Sequence, residues 1–359
     1  MNSTRICIVS PIPPPFGGMA VQAEKLSHCL KKEGYDVYSV PTNITLTGVL
    51  KPLGSIPFVR TFVRQTVFLI RLNKAIKTAD TIYFLTGFFN FFFWVTYPAL
   101  ILMLLQKRKI VLSARGGGAR AFFRKYKTWV KPVFNRLNAI TVPSGFLKDA
   151  FEQELEIKTI VVPNIADLSQ FAFTRRDRLE PKLIVTRSLE DIYDIPSVIL
   201  AFNEVKKLFP SALLGIVGDG SRRSALESLV CELDLKNCVR FYGELSHEKI
   251  AAVYQQYDIF INASKVDNLP GSILEAFASG LPVVSTNAGG IPYMVRDGEN
   301  GLLCETGDHT SLAKNAIKIL NTPEYGQALA IKGYVELQRY TWPHIKEILI
   351  PILNNSTNE

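Results

Sequence analysis

Apolar positions along this chain recur with two spacings that take turns. Short apolar runs bounded by Gly, Pro, Asn or Asp read as buried strands, and the segments between them carry apolar residues three and four apart, as amphipathic helices do. In the first half the strands fall at 5–10, 35–40, 80–86, 109–113, 139–142 and 159–162. The first helix opens at Gly17 and Gly18, presents Met19, Ala23, Leu26 and Leu30 on one face, and closes at Gly34. Others are predicted over 58–77, 119–137, and from a capping Ser144 to residue 154, with a long loop over 41–57. The second half repeats the pattern: strands at 182–186, 212–217, 239–242, 258–262 and 281–285, and helices at 196–208, 222–233, 246–256, 272–279, 310–320 and after Pro343. A strict βα alternation predicts an α/β fold built on parallel sheets. At 359 residues the chain can form two such domains, each with its own core. The segment 163–167 and the charged stretch TRRDRLEP that runs to Pro181 place the boundary near 165, giving domains 1–165 and 166–341.

Three segments of the first half depart from an ordinary surface. Residues 88–105 (FFNFFFWVTYPALILMLL) are apolar almost throughout and are followed by Lys107, Arg108 and Lys109. Asn90, Tyr97 and Pro98 interrupt them, which leaves three readings open: a membrane span, a buried helix, or a helix dipping into a bilayer surface. Segment 58–77 interleaves Arg60, Arg64, Arg71, Lys74 and Lys77 with Phe58, Phe62, Val67, Phe68, Ile70 and Ile76, and 119–137 mixes aromatics with Lys and Arg in the same way. Such segments suit a solvated amphipathic face, a membrane interface or stacking on nucleic acid; we expect no nucleic-acid partner. Residues 1–165 hold 22 Lys and Arg against 8 Asp and Glu, a balance of +14, and residues 166–359 hold 19 against 24, a balance of −5. That asymmetry suggests a polyanionic or membrane-surface partner for the first half, and an anionic membrane surface is the one expected. The five cysteines are scattered and odd in number, and the N-terminal stretch has no basic region followed by an apolar one, so a cytoplasmic protein with reduced thiols is expected. The four histidines are dispersed and no Cys, His or Asp set has metal-ligand spacing, so no metal is expected.

Candidate chemistry concentrates in residues 258–303. A strand empties into the loop Asn268 to Gly271, which opens a helix at Gly271 and Ser272, and the unpaired N–H groups there favour an anion. Asp267 in the loop and Glu275 one turn into the helix flank that site, and carboxylates are suited to the paired hydroxyls of sugars and ribose. A second glycine loop, Asn287 to Gly290, converges from the next strand. Arg187 and the Gly218 loop follow earlier strands and can point into the same crevice. In the first half, Arg115, Gly116, Gly117 and Gly118 suit close approach of the backbone to an anionic group.

These elements carry a specific resemblance. Asp267 with Glu275, then EAFASGLPVV from Glu275 to Val284, GGIP from Gly289 to Pro292, and DGENGLL from Asp297 to Leu303 resemble the C-terminal domain of family-4 retaining glycosyltransferases. The resemblance implies a GT-B fold: two doubly wound Rossmann-like domains facing across a cleft, with a final helix, 342–359, crossing back onto the first. It implies transfer of a sugar from a nucleotide-sugar donor, without a cofactor, to a hydroxyl acceptor, lipid-linked or a growing polysaccharide, by a protein peripheral at the inner face of a membrane. Within it Arg187, Asp267 and Glu275 are the catalytic set. Gly17, Gly18, Gly218, Leu269, Gly271 and Ser272 join them in donor binding; Arg187 and the glycine N–H groups hold the diphosphate, Asp267 the donor sugar and Glu275 the ribose. Arg115, Gly116 and Gly117 lie on the acceptor side. Three positions depart from the family pattern: Asp267 is shorter than the usual Glu, Arg115 stands in place of a His, and Ile192 stands where a second diphosphate-binding Lys is usual. An epimerase or phosphorylase of the same architecture, or a non-catalytic relative that binds polysaccharide-assembly proteins or membranes, are the competing readings.

Overall fold

The computed structural model describes residues 4–13, 17–46 and 57–354, so the predicted loop over 41–57 lies mostly outside the described residues. The chain divides into two compact units, one reaching to Ile165 and taking back the chain from Trp342, the other running from Ala166 to Thr341.

In the first unit six parallel strands, β1 (Arg5–Ser10), β2 (Asp36–Pro41), β3 (Thr81–Thr86), β4 (Lys109–Ala114), β5 (Ala139–Val142) and β6 (Ile160–Val161), lie in the order β2-β1-β3-β4-β5-β6. Because side chains alternate along a strand, β1 sends Ile6 and Ile8 to one face and Cys7 and Val9 to the other, and both faces are covered. The first face packs α1 (Gly18–Lys32), through Ala23, Leu26 and Leu30, and α12 (Trp342–Asn354), through Ile345, Leu349, Ile352 and Leu353. α2 (Pro57–Ile76), α3 (Tyr97–Leu105), α4 (Ala119–Phe134) and α5 (Gly145–Leu155) cover the second. Ser144 takes the position before α5 but makes no capping bond with its side chain.

The apolar segment 88–105 is not one uniform helix: it turns once as a π-helix at Phe92–Thr96 before continuing as α3. Phe88, Phe92, Ala99, Leu100 and Met103 face the core, whereas Trp94, Ile101 and Leu105 face outward. No described helix is long and apolar enough to cross a membrane.

The second unit is also doubly wound. Strands β7 (Lys182–Thr186), β8 (Leu213–Val217), β9 (Val239–Gly243), β10 (Ile259–Asn262), β11 (Val283–Thr286) and β12 (Leu302–Cys304) form a parallel sheet in the order β12-β11-β10-β7-β8-β9. α6 (Ile195–Leu208), α7 (Arg223–Glu232) and α10 (His309–Asn321) pack on one face, and α8 (His247–Tyr254) and α9 (Gly271–Ala278) on the other. The order reverses between β7 and β10, and in open α/β sheets ligands bind beyond the strand ends at such a switch point.

Two elements escape the sequence pattern. β12 is three residues long, and α11 (Pro323–Leu337) has no clean apolar stripe, because glycines make two of its contacts: Gly326 lies against Leu179 and Ile319, and Gly333 against the Phe277 ring. The charged stretch before Pro181 is likewise no loose tether. Arg176 within it is nearly buried, paired with Asp258 at 3.0 Å and donating to the carbonyls of Tyr257 and Ser279.

Candidate functional site

At the β7/β10 switch point the second unit holds a cavity of about 340 Å³, lined among others by Arg187, Tyr193, Gly218, Gly271, Ser272 and Glu275. β7 ends at Thr186, so Arg187 emerges at the strand's carboxyl end, its N–H donating to the Val217 carbonyl at 2.9 Å. The guanidinium is gripped on three sides. Nη2 lies 2.6 Å from Asp267 Oδ2, Nε donates to Asn262 Oδ1 at 3.2 Å, and the Tyr193 ring centroid is 5.1 Å from its central carbon. Arg187 and Asp267 are only 11% and 14% exposed, so their attraction is weakly screened. Asn262 is fixed in turn by Ser264 Oγ, which donates to its Oδ1, and by Ser285 Oγ, which accepts from its Nδ2. Among the described residues lining the cavity, Arg187 is the only Lys or Arg.

The structure thus brings Asp267 against Arg187 and leaves Leu269 half-buried against an apolar cluster of the second unit to which α8 and α9 contribute. Gly271 opens α9 with nothing within 4 Å of where a Cβ would stand, so its backbone faces open space. Ser272, in the first turn, is buried and lines the cavity. Glu275 follows one turn on, its Oε2 accepting from the Tyr254 hydroxyl at 3.0 Å. Gly218, with φ +131, is required for packing: a Cβ there would lie 2.0 Å from the Arg187 carbonyl oxygen.

The second glycine loop supports the first loop. Gly290 N–H donates to the Asp267 carbonyl at 2.7 Å, and a Cβ on Gly290 would stand 1.9 Å from the Asn268 carbonyl oxygen. We expect Gly290→Ala to destabilise the protein by about 1–3 kcal/mol, lowering Tm by roughly 3–10 °C, because the obstructing atom is backbone and cannot swing away. Differential scanning calorimetry checks this; an unchanged Tm would show that the loops do not bear on one another as described.

Ile192 is half exposed and its carbonyl accepts from Lys265 N–H at 2.8 Å, while Lys265 Nζ pairs with Asp194 at 3.3 Å. In the first unit Gly17 and Gly18 are exposed at the start of α1, with nothing within 4 Å of a Cβ on either. Arg115 turns its guanidinium onto Asn164 Oδ1 and Ser113 Oγ, and burial pulls its pKa down. Gly116 and Gly118 leave room for the rings of Phe88 and Phe89, and Gly117 is exposed. Among the described residues no group of three His, Cys, Asp or Glu could hold a metal ion. Sequence reasoning assigned no role to Tyr193, Glu244, Leu245, Ile250 or Tyr254. Their motif-free positions gave no signal, and only the sheet order brings them to the cavity or to Glu275 beneath it.

Residues 169–335 match the family model described as glycosyl transferases group 1. A lipopolysaccharide core biosynthesis glycosyltransferase, LpsE of Rhizobium meliloti, is 35% identical over 130 residues, 36% of this chain and 37% of that protein. The chain matches about a third of the length of such curated relatives. Sucrose-phosphate synthase from Thermosynechococcus elongatus superposes with a TM-score of 0.74 at 17% identity, over 98% of this chain and 99% of that one. Anabaena HepE, solved in complex with UDP, gives 0.72 at 17% identity over 98% and 100%. At these identities the superpositions show the fold, which is GT-B.

Proposed function

We propose, from a chain whose residues 169–335 match the model of the group 1 glycosyl transferases, that the protein is a retaining glycosyltransferase. It would move a sugar from a nucleotide-sugar donor to a hydroxyl of a lipid-linked or growing glycan acceptor. The observation that carries this reading is the cavity at the β7/β10 switch point, where one arginine, the open N-terminus of α9 and a carboxylate converge. HepE, of the same fold, holds UDP. Arg187 and the first N–H groups of α9 would carry the charge that grows on the departing diphosphate, the usual large electrostatic contribution to catalysis, and Glu275 would accept from the ribose hydroxyls. No strong general base and no metal belong to the proposal.

Calorimetry against UDP-, GDP- and ADP-sugars tests donor binding, and NMR of the product's anomeric configuration tests retention. Failure to bind any of the three sugars would remove the reading. A second reading has one observation in its favour: the charge of Arg187 is already matched by Asp267. A non-catalytic relative would bind the donor yet form no product.

We further propose that the first unit docks on an anionic membrane, where a lipid-linked acceptor is held. Between residues 37 and 148 the sequence has 17 Lys and Arg and a single acid, Asp80. α2 and α3, which pack together, both expose apolar side chains beside these cations, Phe62 at 70% and Leu105 at 77%, with Trp94, Ile70 and Ile101 also exposed. Each Lys or Arg near an anionic bilayer contributes about 1 kcal/mol and fades within a Debye length, whereas apolar insertion persists in salt. Sedimentation with anionic and neutral liposomes should therefore show strong salt-sensitive binding to the former and a salt-resistant remainder that Trp94→Ala with Leu105→Ala abolishes. No pelleting with anionic vesicles at low salt would sink the docking proposal.

A further inference from the structure

Below the Glu275 carboxylate lies a hydroxyl that no motif assigns. Tyr254 ends α8 fully buried, its ring edge-on to Phe171 at 5.6 Å and stacked on Phe260 at 6.1 Å between centroids. Its oxygen meets three partners: Thr186 Oγ1 at 2.6 Å, Glu275 Oε2 at 3.0 Å and the Ser272 carbonyl at 3.1 Å. A phenol has one proton to donate. Thr186 Oγ1 can donate, so the bonds are satisfied when Thr186 donates to Tyr254 and Tyr254 directs its own proton to the carboxylate, the stronger acceptor, with the Ser272 carbonyl as its neutral alternative. Burial and the Glu275 charge push the Tyr254 pKa well above its ordinary value, so the proton stays in place.

This hydroxyl joins three pieces of the cavity wall. Thr186 is the residue before Arg187, Ser272 lies in the first turn of α9, and Glu275 one turn later. The terminal torsion of a glutamate is soft, with no staggered wells to hold the carboxylate plane, so a carboxylate that must meet two adjacent hydroxyls needs an external brace. The apolar packing of the Tyr254 ring supplies the rigidity and its oxygen supplies the brace.

We propose that Tyr254 is a positioning residue that fixes the Glu275 carboxylate for the vicinal hydroxyls of the nucleotide ribose. The inference rests on the reading of Glu275 given above, and the experiment separates the two. Dissociation constants are measured by calorimetry for whichever of UDP, GDP and ADP binds, and for its 2′,3′-dideoxy counterpart, with the native protein, Tyr254→Phe and Glu275→Gln. In Tyr254→Phe the ribonucleotide should bind roughly tenfold more weakly while the dideoxynucleotide changes less than about twofold, so discrimination between them shrinks. A merely structural tyrosine would weaken both alike, and that result, or an unchanged ribonucleotide affinity, overturns the proposal. If Glu275→Gln lowers the discrimination and Tyr254→Phe does not, the ribose reading stands and the positioning inference falls. If Glu275→Gln leaves the discrimination intact, the ribose reading fails and the inference with it. Should Tyr254→Phe alone lose its fold because Thr186 is left unpaired, the double variant Thr186→Val with Tyr254→Phe removes the orphaned hydroxyl and gives the same comparison.

Discussion

Arg187→Ala is expected to lower kcat by roughly a hundred- to a thousandfold, the loss seen when one preorganised donor to a developing charge is removed. In the ground state the donor's diphosphate already shares its charge with the sugar bond; as that bond breaks, charge moves onto the leaving oxygen. A cation at the end of β7 therefore gains more in the transition state than in the bound donor. The pairing with Asp267 sharpens the comparison. Asp267→Asn removes a carboxylate that neutralises Arg187 at 2.6 Å but leaves the guanidinium in place, so its kcat should fall by less than that of Arg187→Ala. Arg187→Ala, by contrast, strands a carboxylate that is 14% exposed, and part of its effect will be on stability. Saturation kinetics on both variants, with thermal melts to confirm folding, give the answer. A larger loss of kcat in Asp267→Asn would exchange the two roles.

Glu275→Gln should raise the dissociation constant for the nucleotide-sugar about ten- to a hundredfold while leaving the fold intact. Loss of a charge-assisted bond is worth about 1.5–3 kcal/mol. The amide keeps the length of the side chain and an oxygen that can still accept from Tyr254, now 3.0 Å from the carboxylate, so the packing of α9 is preserved. The loss should therefore appear in affinity and not in Tm. Calorimetry on a variant with native melting behaviour decides the matter: an unchanged dissociation constant removes Glu275 from the site.

The hydrophobic rhythm of the chain determined the α/β class and most elements of both units, because strand and helix periods are local properties that survive without any knowledge of neighbours. The strand, loop and helix around Asp267 and Glu275 were legible for the same reason: they lie within one βα unit, and Gly271 marks the helix opening. Only tertiary structure decided what those residues face. Arg187 and Asp267 are 80 residues apart and meet because the sheet order sets β7 beside β10. Tyr254 sits among unremarkable apolar residues of α8, and its role exists only once Thr186 and Glu275 are brought to one oxygen. The GGIP glycines read in the sequence as part of a second glycine loop converging on the first, and the fold shows how they converge: they let the backbone at Asp267 and Asn268 pass close. α11 was invisible because glycine notches against Phe277, Leu179 and Ile319 replace part of an apolar stripe. Segment 88–105, ambiguous by composition, is divided by the fold: its Phe88, Phe92, Leu100 and Met103 fill the core beside β3 and β4, and Trp94, Ile101 and Leu105 are left outside. Periodicity reports which face of an element is apolar, but the identity of what meets that face is a non-local property fixed by strand order and crossover.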